Sequence, residues 1–150
     1  VLHLYAAPLS TASARVAQVL REKKVPFEFH PIDLSKKEQK TEEYLAKQPF
    51  GQVPYIVSYL VFLFESASNR HLRQDDDGFI LYESRAIARY IARKYADQGT
   101  PNLIPDFNDL QAWALFEQAY SNEVANFENF AVKIVLEKIF KPYVPSPVQQ

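Results

Sequence analysis

The chain contains no cysteine, which excludes disulfide bonds, thiolate metal ligands and a CxxC redox centre within its 150 residues. It also lacks an excess of charge of either sign, with 17 Lys and Arg against 18 Asp and Glu. No global field therefore recruits nucleic acid or anionic lipid. The longest apolar run, "YLVFLF" at 59–64, is too short to cross a bilayer. We expect a cytoplasmic protein without nucleic-acid or membrane partners.

Histidine is scarce as well, and the three histidines His3, His30 and His71 lie far apart in the sequence. None of them has a second ligand at a spacing typical of metal sites. The sequence therefore predicts surface or packed histidines and no metal site.

Strand and helix signals alternate along the first two thirds of the chain. "VLHLY" alternates apolar and polar residues, and "PLSTASARVAQVLREKK" forms an amphipathic pattern that Ser10 or Thr11 can cap. The predicted elements are strands at 1–5, 25–34, 53–56 and 78–83, and helices after Ser10, after Ser35 and at 84–95. The order βαβαββα combines a parallel pair joined by a right-handed crossover with an antiparallel hairpin, which is the thioredoxin-like arrangement.

A second pattern begins after the turn "DQGTPNLIPD". Residues 107–140 are helical in pattern, with Leu110, Trp113, Phe116 and Tyr120 along one side, and the prolines of "KPYVPSPVQQ" stop the helix. We expect an α/β thioredoxin-like domain at 1–97 and the start of an all-α domain at 106–150.

An apolar insertion interrupts the predicted hairpin between "PYI" and "FILYE". Residues 57–74, "VSYLVFLFESASNRHLRQ", contain no turn signal. The segment begins with Val, whose codons start with GU, and ends with Gln, which has the codon CAG. These are the boundary letters of an intron, so we expect a retained in-frame intron, with an evolved loop as the alternative. In either case the insertion is expected to supply no site residue.

Three motifs, in this order, carry a resemblance to a known family: "PLSTASARV", "PIDLSKKEQKTEEYLAKQPFGQVP" and "LYESRAIARYIARKYA". The chain resembles a glutathione transferase, and among the classes of that family it most resembles phi. The resemblance implies that glutathione, as co-substrate, binds the thioredoxin-like domain and that a small electrophile lies against the helical domain. Family members continue for several further helices, so the helical domain here is expected to be partial.

The resemblance places the catalytic role on Ser10, between the first strand and the first helix. A hydroxyl donor at a helix N-terminus stabilises the glutathione thiolate through a hydrogen bond and the helix dipole. A plain helix cap is the alternative role for Ser10. Tyr5 is the rival donor, since other classes of the family use a tyrosine just after the first strand.

Three further groups would hold glutathione. Val53 would pair its backbone with the cysteinyl part, Pro54 would be cis, and Gln52 would reach the peptide's backbone or carboxylate. Lys40 matches a basic residue that neutralises the glycyl carboxylate, although "SKKEQK" also fits an ordinary solvated run.

An acid–serine pair at the start of a helix would bind the γ-glutamyl group. The sequence offers Glu65–Ser66 and Glu83–Ser84, and spacing from Pro54 does not choose between them once the insertion is removed. An Asp-Gly turn before "FILYE" and a well-formed helical pattern after Ser84 favour Glu83–Ser84.

We therefore expect a glutathione transferase that conjugates or deglutathionylates and uses no metal. The alternatives are a non-catalytic glutathione-transferase-like binding module and an inactive product of a retained intron and truncation. Family members are homodimers in which an aromatic residue matching Phe50 docks into the partner's helical domain. With a partial helical domain, dimerisation is expected to be weakened or absent.

Overall fold

The computed structural model describes residues 1–58 and 78–140. The chain divides into two compact units, Val1–Leu103 and a second unit that begins at Ile104. Within the described ranges, no helix combines the length and apolar character needed to cross a membrane.

The first unit is built on a four-stranded mixed sheet. Its strands are β1 (Leu2–Ala6), β2 (Phe27–Pro31), β3 (Tyr55–Ser58) and β4 (Phe79–Tyr82). They lie in the order β2-β1-β3-β4; β1 and β2 are parallel, whereas β3 is antiparallel to both β1 and β4. The thioredoxin-like topology expected from the element order is confirmed.

Two helices cover one face of this sheet, α1 (Thr11–Glu22) and α3 (Ser84–Lys94). Alternate residues of β1 point to this face because side chains along a strand alternate in direction. The core there consists of buried side chains from both helices and the central strands: Leu2, Leu4, Ala6, Val16, Leu20, Val25, Ile56, Ile87 and Ile91. This layer fixes α1 and α3 on the same side of the sheet.

The opposite face carries the short helix α2 (Glu42–Leu45), which follows a 3₁₀ turn at Glu38–Lys40. Tyr44 of α2 packs there on Tyr55 and Val57. The polar helix predicted after Ser35 is shorter than expected. Asp33 accepts hydrogen bonds from the backbone N–H and hydroxyl of Ser35, and Lys37 has a φ of +58°, so turns replace the first part of that helix.

The first two residues of the predicted insertion 57–74 are part of the sheet. Val57 and Ser58 belong to β3, where Val57 lies opposite His3 on one side and Ile80 on the other. Both residues are buried, because β1 and β4 extend beyond "PYI" and pair with them. Residues 59–74 of the insertion lie outside the described residues.

From Leu110 on, the described part of the second unit is one continuous helical stretch. It comprises α4 (Leu110–Asn122), a π-helical segment (Glu123–Glu128), α5 (Asn129–Val135) and a second π-helical segment (Leu136–Phe140). The predicted helical pattern at 107–140 is thus present from residue 110. No residue between 104 and 138 is buried. The tail 141–150, with its predicted helix stop, lies beyond the described residues.

Candidate functional site

Ser10 is the N-terminal cap of α1. Its backbone is extended, with φ −80° and ψ 124°, and its Oγ accepts a hydrogen bond from the N–H of Ser13 at 3.3 Å. Its own N–H donates to the Ala7 carbonyl at 3.0 Å. Among the described residues, the hydroxyl hydrogen of Ser10 has no acceptor. The hydroxyl therefore caps the helix with its lone pair and keeps its hydrogen for another partner.

Ser13 holds the loop that leads to Ser10, a role the sequence analysis did not identify. Its side chain is buried, and its Oγ accepts a hydrogen bond from the N–H of Ala7 at 3.2 Å. Two hydrogen bonds of Ala7, one to Ser10 and one to Ser13, thus join the end of β1 to the start of α1.

The Val53–Pro54 peptide bond is cis, the form that the resemblance implies. Neither the N–H nor the C=O of Val53 is hydrogen-bonded to any other residue in the ranges 1–58 and 78–140. An extended peptide could pair with this backbone as an added strand.

Two buried side chains fix the loop immediately before Val53. The hydroxyl of Tyr44 donates to the Gln52 carbonyl at 2.7 Å, and the Gln52 N–H donates to Oε1 of Gln48 at 3.0 Å. Burial raises the pKa of Tyr44, which keeps the phenol in the neutral form that donates this bond. The sequence analysis missed both residues, since a Tyr and a Gln in a polar helix carry no distinguishing signal.

Lys40 lies against the same loop. Its Nζ donates to the Phe50 carbonyl at 3.1 Å. Gly51 has a φ of +59°, and a Cβ there would meet Nζ of Lys40 at 2.6 Å, so glycine permits both the turn and the approach of the lysine. The structure thereby places the charge of Lys40 beside Phe50 and Gly51, the two residues that precede Gln52.

Glu83 and Ser84 form the N-terminus of α3. Glu83 has φ +70° and ψ 104°, an uncommon conformation for a residue with a side chain. Ser84 is buried, and its Oγ accepts a hydrogen bond from Nη1 of Arg15 at 2.6 Å. The sequence analysis missed Arg15; the available signal was that it is the one charged residue between Ser10 and Leu20.

Strand register brings these groups to one end of the sheet. Tyr55 lies opposite Tyr5 of β1 and Tyr82 of β4, so Pro54 and Glu83 follow at the same end, where β1 leads toward Ser10. Since α1 and α3 share a face, Ser10 and Ser84 lie on the same side of the sheet, and Arg15 links their helices. The competing pair, Glu65–Ser66, lies outside the described residues.

Tyr5, the rival to Ser10, lies on the other face. Its ring stacks on His30 at 4.4 Å between centroids and on Tyr55 at 4.5 Å. It alternates with Leu4 and Ala6, which point toward α1. Tyr5 therefore belongs to an aromatic stack on the opposite face of the sheet from α1, the helix that Ser10 caps.

Two of the three histidines, which the sequence analysis treated as far apart, are in contact in the structure. His3 and His30 are far apart in the sequence, but the parallel pairing of β1 and β2 places His3 opposite Glu28 and Tyr5 opposite His30. Nδ1 of His3 lies 2.8 Å from Nε2 of His30. The separation along the chain concealed this contact, because register between parallel strands cannot be read from local spacing.

The fold and this geometry define a thioredoxin-like domain with an open backbone edge between two helix N-termini. Residues 4–99 match the family model described as the N-terminal domain of glutathione S-transferase. Glutathione S-transferase hmp2 of Hypomyces subiculosus is 44% identical over 143 residues, covering 95% of this chain and 57% of that protein. The chain belongs to the glutathione S-transferase family.

Solved structures give the same result. Poplar glutathione transferase F1 superposes with a TM-score of 0.75 at 38% identity, covering 99% of this chain and 58% of that one. Maize glutathione S-transferase I, solved with an atrazine glutathione conjugate, gives 0.70 at 29% identity, covering 95% and 56%. The similarity to plant phi-class enzymes is thereby confirmed. The chain spans little more than half the length of these relatives.

Proposed function

We propose that this chain is a glutathione transferase in which Ser10 stabilises the thiolate of bound glutathione. The observation that carries the proposal is the Ser10 hydroxyl, which caps α1 with its oxygen and whose hydrogen has no acceptor in the part of the chain that the structure describes. A thiol with a pKa of about 8.5 is mostly protonated near pH 7. A hydroxyl donor and the positive end of a helix dipole both favour the thiolate.

The open backbone of Val53 supports a place for the cysteinyl part of glutathione. Its N–H and C=O would pair with the tripeptide, and the preceding loop is already held by Tyr44 and Gln48. A preorganised loop lowers the entropic cost of binding. Gln52 and Lys40, both at this loop, would contact the glycyl end, where the lysine charge complements a carboxylate.

The N-terminus of α3 supports a place for the γ-glutamyl group. Free N–H groups in the first turn of a helix favour a carboxylate, and Arg15 adds positive charge beside Ser84. The Glu83 carboxylate would accept from the ammonium group. The positive φ of Glu83 is a strained conformation of the kind that clusters at ligand sites.

In the proposed reaction the thiolate sulfur attacks an electrophilic carbon. A carbon–sulfur bond forms, the leaving group departs with the electron pair of the broken bond, and the thiol proton is released to solvent. The conjugate in the maize structure supports a small organic electrophile as the second substrate.

Ser10→Ala tests the role of the hydroxyl. We expect glutathione to be retained with little change in affinity while turnover with an aryl halide falls roughly ten- to hundredfold, since a hydrogen bond to a charged group contributes ~1.5–3 kcal/mol. Ultraviolet absorbance of the bound thiolate should show a raised thiol pKa in the variant.

Two variants control for effects on the helix cap. Ser10→Gly removes the hydroxyl but weakens capping by only a few tenths of a kcal/mol, so it should lose turnover as Ser10→Ala does. Thr11→Ala removes the adjacent exposed hydroxyl and should leave turnover unchanged, as should Tyr5→Phe. Loss of turnover in Tyr5→Phe with an active Ser10→Ala enzyme would overturn the assignment.

A non-catalytic glutathione-binding module is the second candidate. It is favoured by one observation, the absence of any buried residue between 104 and 138, since a co-substrate pocket needs packed walls. Retention on glutathione without turnover by the parent chain would select this candidate over the enzyme.

We also propose that dimerisation is weakened or absent in this chain. The Phe50 side chain is 60% exposed and touches Tyr82 with its ring edge, at 6.0 Å between centroids. It is thus available to a partner, but the helical unit that would receive it has no buried residue among those described. Light scattering of a stable symmetric dimer would contradict this proposal.

A further inference from the structure

We propose that His3, Glu28 and His30 form a zinc-binding site on the face of the sheet opposite α1 and α3. One atom from each side chain contributes: Nδ1 of His3, Oε2 of Glu28 and Nε2 of His30. These atoms all lie within 4.8 Å of one another. Two imidazole nitrogens and a carboxylate oxygen are ligands that Zn²⁺ commonly takes, with water completing a tetrahedral set.

The measured separations fit such a set closely. Nδ1 of His3 lies 2.8 Å from Nε2 of His30, and Oε2 of Glu28 lies 3.4 Å from the first nitrogen and 3.8 Å from the second. Zinc bonds of ~2.0–2.1 Å in a tetrahedron place neighbouring ligand atoms about 3.3 Å apart. The three separations lie on both sides of this value, so small side-chain rotations suffice to admit the ion.

The two imidazole rings are oriented toward each other. Their centroids are 5.0 Å apart and their planes differ by 26°, while the facing nitrogens are 2.8 Å apart. The distance between the ring centroids is about equal to the nitrogen–nitrogen distance plus the radii of the two rings. The two nitrogens therefore lie on the line between the centroids, and the rings meet edge to edge. The two nitrogens therefore face each other at hydrogen-bond distance, and zinc binding would replace this contact once both rings turn toward the Glu28 carboxylate.

Neighbouring side chains hold this geometry. The His30 ring stacks on Tyr5 at 4.4 Å with 13° between planes, and Tyr5 stacks on Tyr55 at 4.5 Å. The parallel register also fixes Glu28 opposite His3. A rigid support of this kind reduces the entropy lost when ligands are ordered around an ion.

The site is partly open and separate from the proposed glutathione site. The side chains of His3, His30 and Glu28 are 19%, 36% and 59% exposed, so an ion can enter and keep a water ligand. His3 precedes Ala6 by three residues, which is roughly 10 Å along a strand, and Ser10 follows beyond that end. Bound zinc would cross-link β1 and β2 without contacting Ser10.

Zinc titration of the metal-free full chain tests the proposal, with a chromophoric chelator as competitor. We expect one zinc ion per chain and a melting temperature that rises with zinc concentration.

His30→Gln is the diagnostic variant, and His71→Gln is its matched control, since it removes the third histidine of the chain. Glu28→Gln, with Glu43→Gln as control, provides an independent pair that keeps side-chain size. Loss of a supporting group already lowers metal affinity 10- to 100-fold, so His30→Gln and Glu28→Gln should each lose at least about tenfold. Both controls should match the parent.

Two results would overturn the proposal. One is failure of the parent chain to bind zinc. The other is an unchanged zinc affinity in His30→Gln and Glu28→Gln variants whose circular dichroism spectra match the parent. If His30→Gln fails to fold, the zinc affinities of Glu28→Gln and of its control Glu43→Gln test the proposal by themselves. Glu28→Gln is expected to fold because Gln preserves the shape of Glu.

Discussion

Helices α1 and α4 differ sharply in what their apolar side chains contact, although both sequences have apolar residues at helical spacing. In α1, Val16 and Leu20 are fully buried against the sheet and α3. In α4, a helix of similar length, no residue is buried, and Leu115 is 65% exposed. The difference lies in the packing partners, because α1 packs against both the sheet and α3.

This contrast shows that an apolar period predicts a helix but does not ensure its burial. Aromatic contacts do form in the second unit, where Trp113 packs on Phe107 and Phe116 at 4.0 and 5.5 Å between centroids. These are contacts between residues close in sequence. Since tertiary packing supplies most helix stability in proteins, the second unit should be the less stable of the two.

Matched leucine truncations should give the largest difference between the two units. Leu20→Ala removes a side chain with no exposed surface and leaves a cavity, so it should lower the free energy of unfolding by about 3–5 kcal/mol. Leu115→Ala should change it by less than about 0.5 kcal/mol. Urea denaturation followed by far-ultraviolet circular dichroism measures both. Similar losses in the two variants would show that α4 is packed in solution.

Two deletions of equal length test whether the sheet needs Val57 and Ser58. Deleting 59–76 would leave Ser58 and Phe79, which are paired in the sheet, joined by Asp-Gly, a favoured two-residue hairpin turn. Deleting 57–74 would instead place Asp75 and Asp76 at the positions of Val57 and Ser58.

Because Val57 is buried, the second deletion puts a carboxylate into an apolar cluster. We expect the 59–76 deletion to be more stable than the 57–74 deletion by at least about 2 kcal/mol. We also expect the first to be more soluble than the parent and to retain glutathione. Equal melting temperatures for the two deletions would contradict the structural role of Val57 and Ser58.

A smaller effect concerns the buried phenol of the first unit. Burial raises the pKa of Tyr44 above its ordinary value of 10.0, so the unfolded chain ionises first as the pH rises. The contribution of the neutral Tyr44 phenol to the free energy of unfolding is therefore complete below pH 10. Above pH 10 this contribution declines, by up to ~1.4 kcal/mol per pH unit.

Tyr44→Phe removes this dependence and also leaves the Gln52 carbonyl without its donor, at a cost of about 1 kcal/mol near neutral pH. The stability gap between parent and variant should therefore narrow from pH 9 to pH 11 in urea titrations. A gap that stays constant or widens over this range would show that the fold tolerates the ionised phenol.

Much of the fold could be predicted from local signals. The cap at Ser10 and the order of strands both depend on residues close in sequence, and the structure has the corresponding elements. Element lengths were less predictable: β3 gains Val57 and Ser58 because β1 and β4 offer them partners. The polar helix after Ser35 is shortened by side-chain bonds from Asp33 that compete with helix formation.

The sequence by itself determined the thioredoxin-like order of elements, because helix caps and turns act over short spans. The resemblance of its motifs to the glutathione transferase family indicated the residues proposed to bind glutathione. The tertiary structure decided which distant side chains meet. Arg15 reaches Ser84 through the packing of α1 on α3, Tyr44 and Gln48 hold the loop at Gln52, and His3 meets His30 through parallel pairing. Such contacts depend on register and packing between elements, which local sequence does not encode because each is fixed by burial of the whole core.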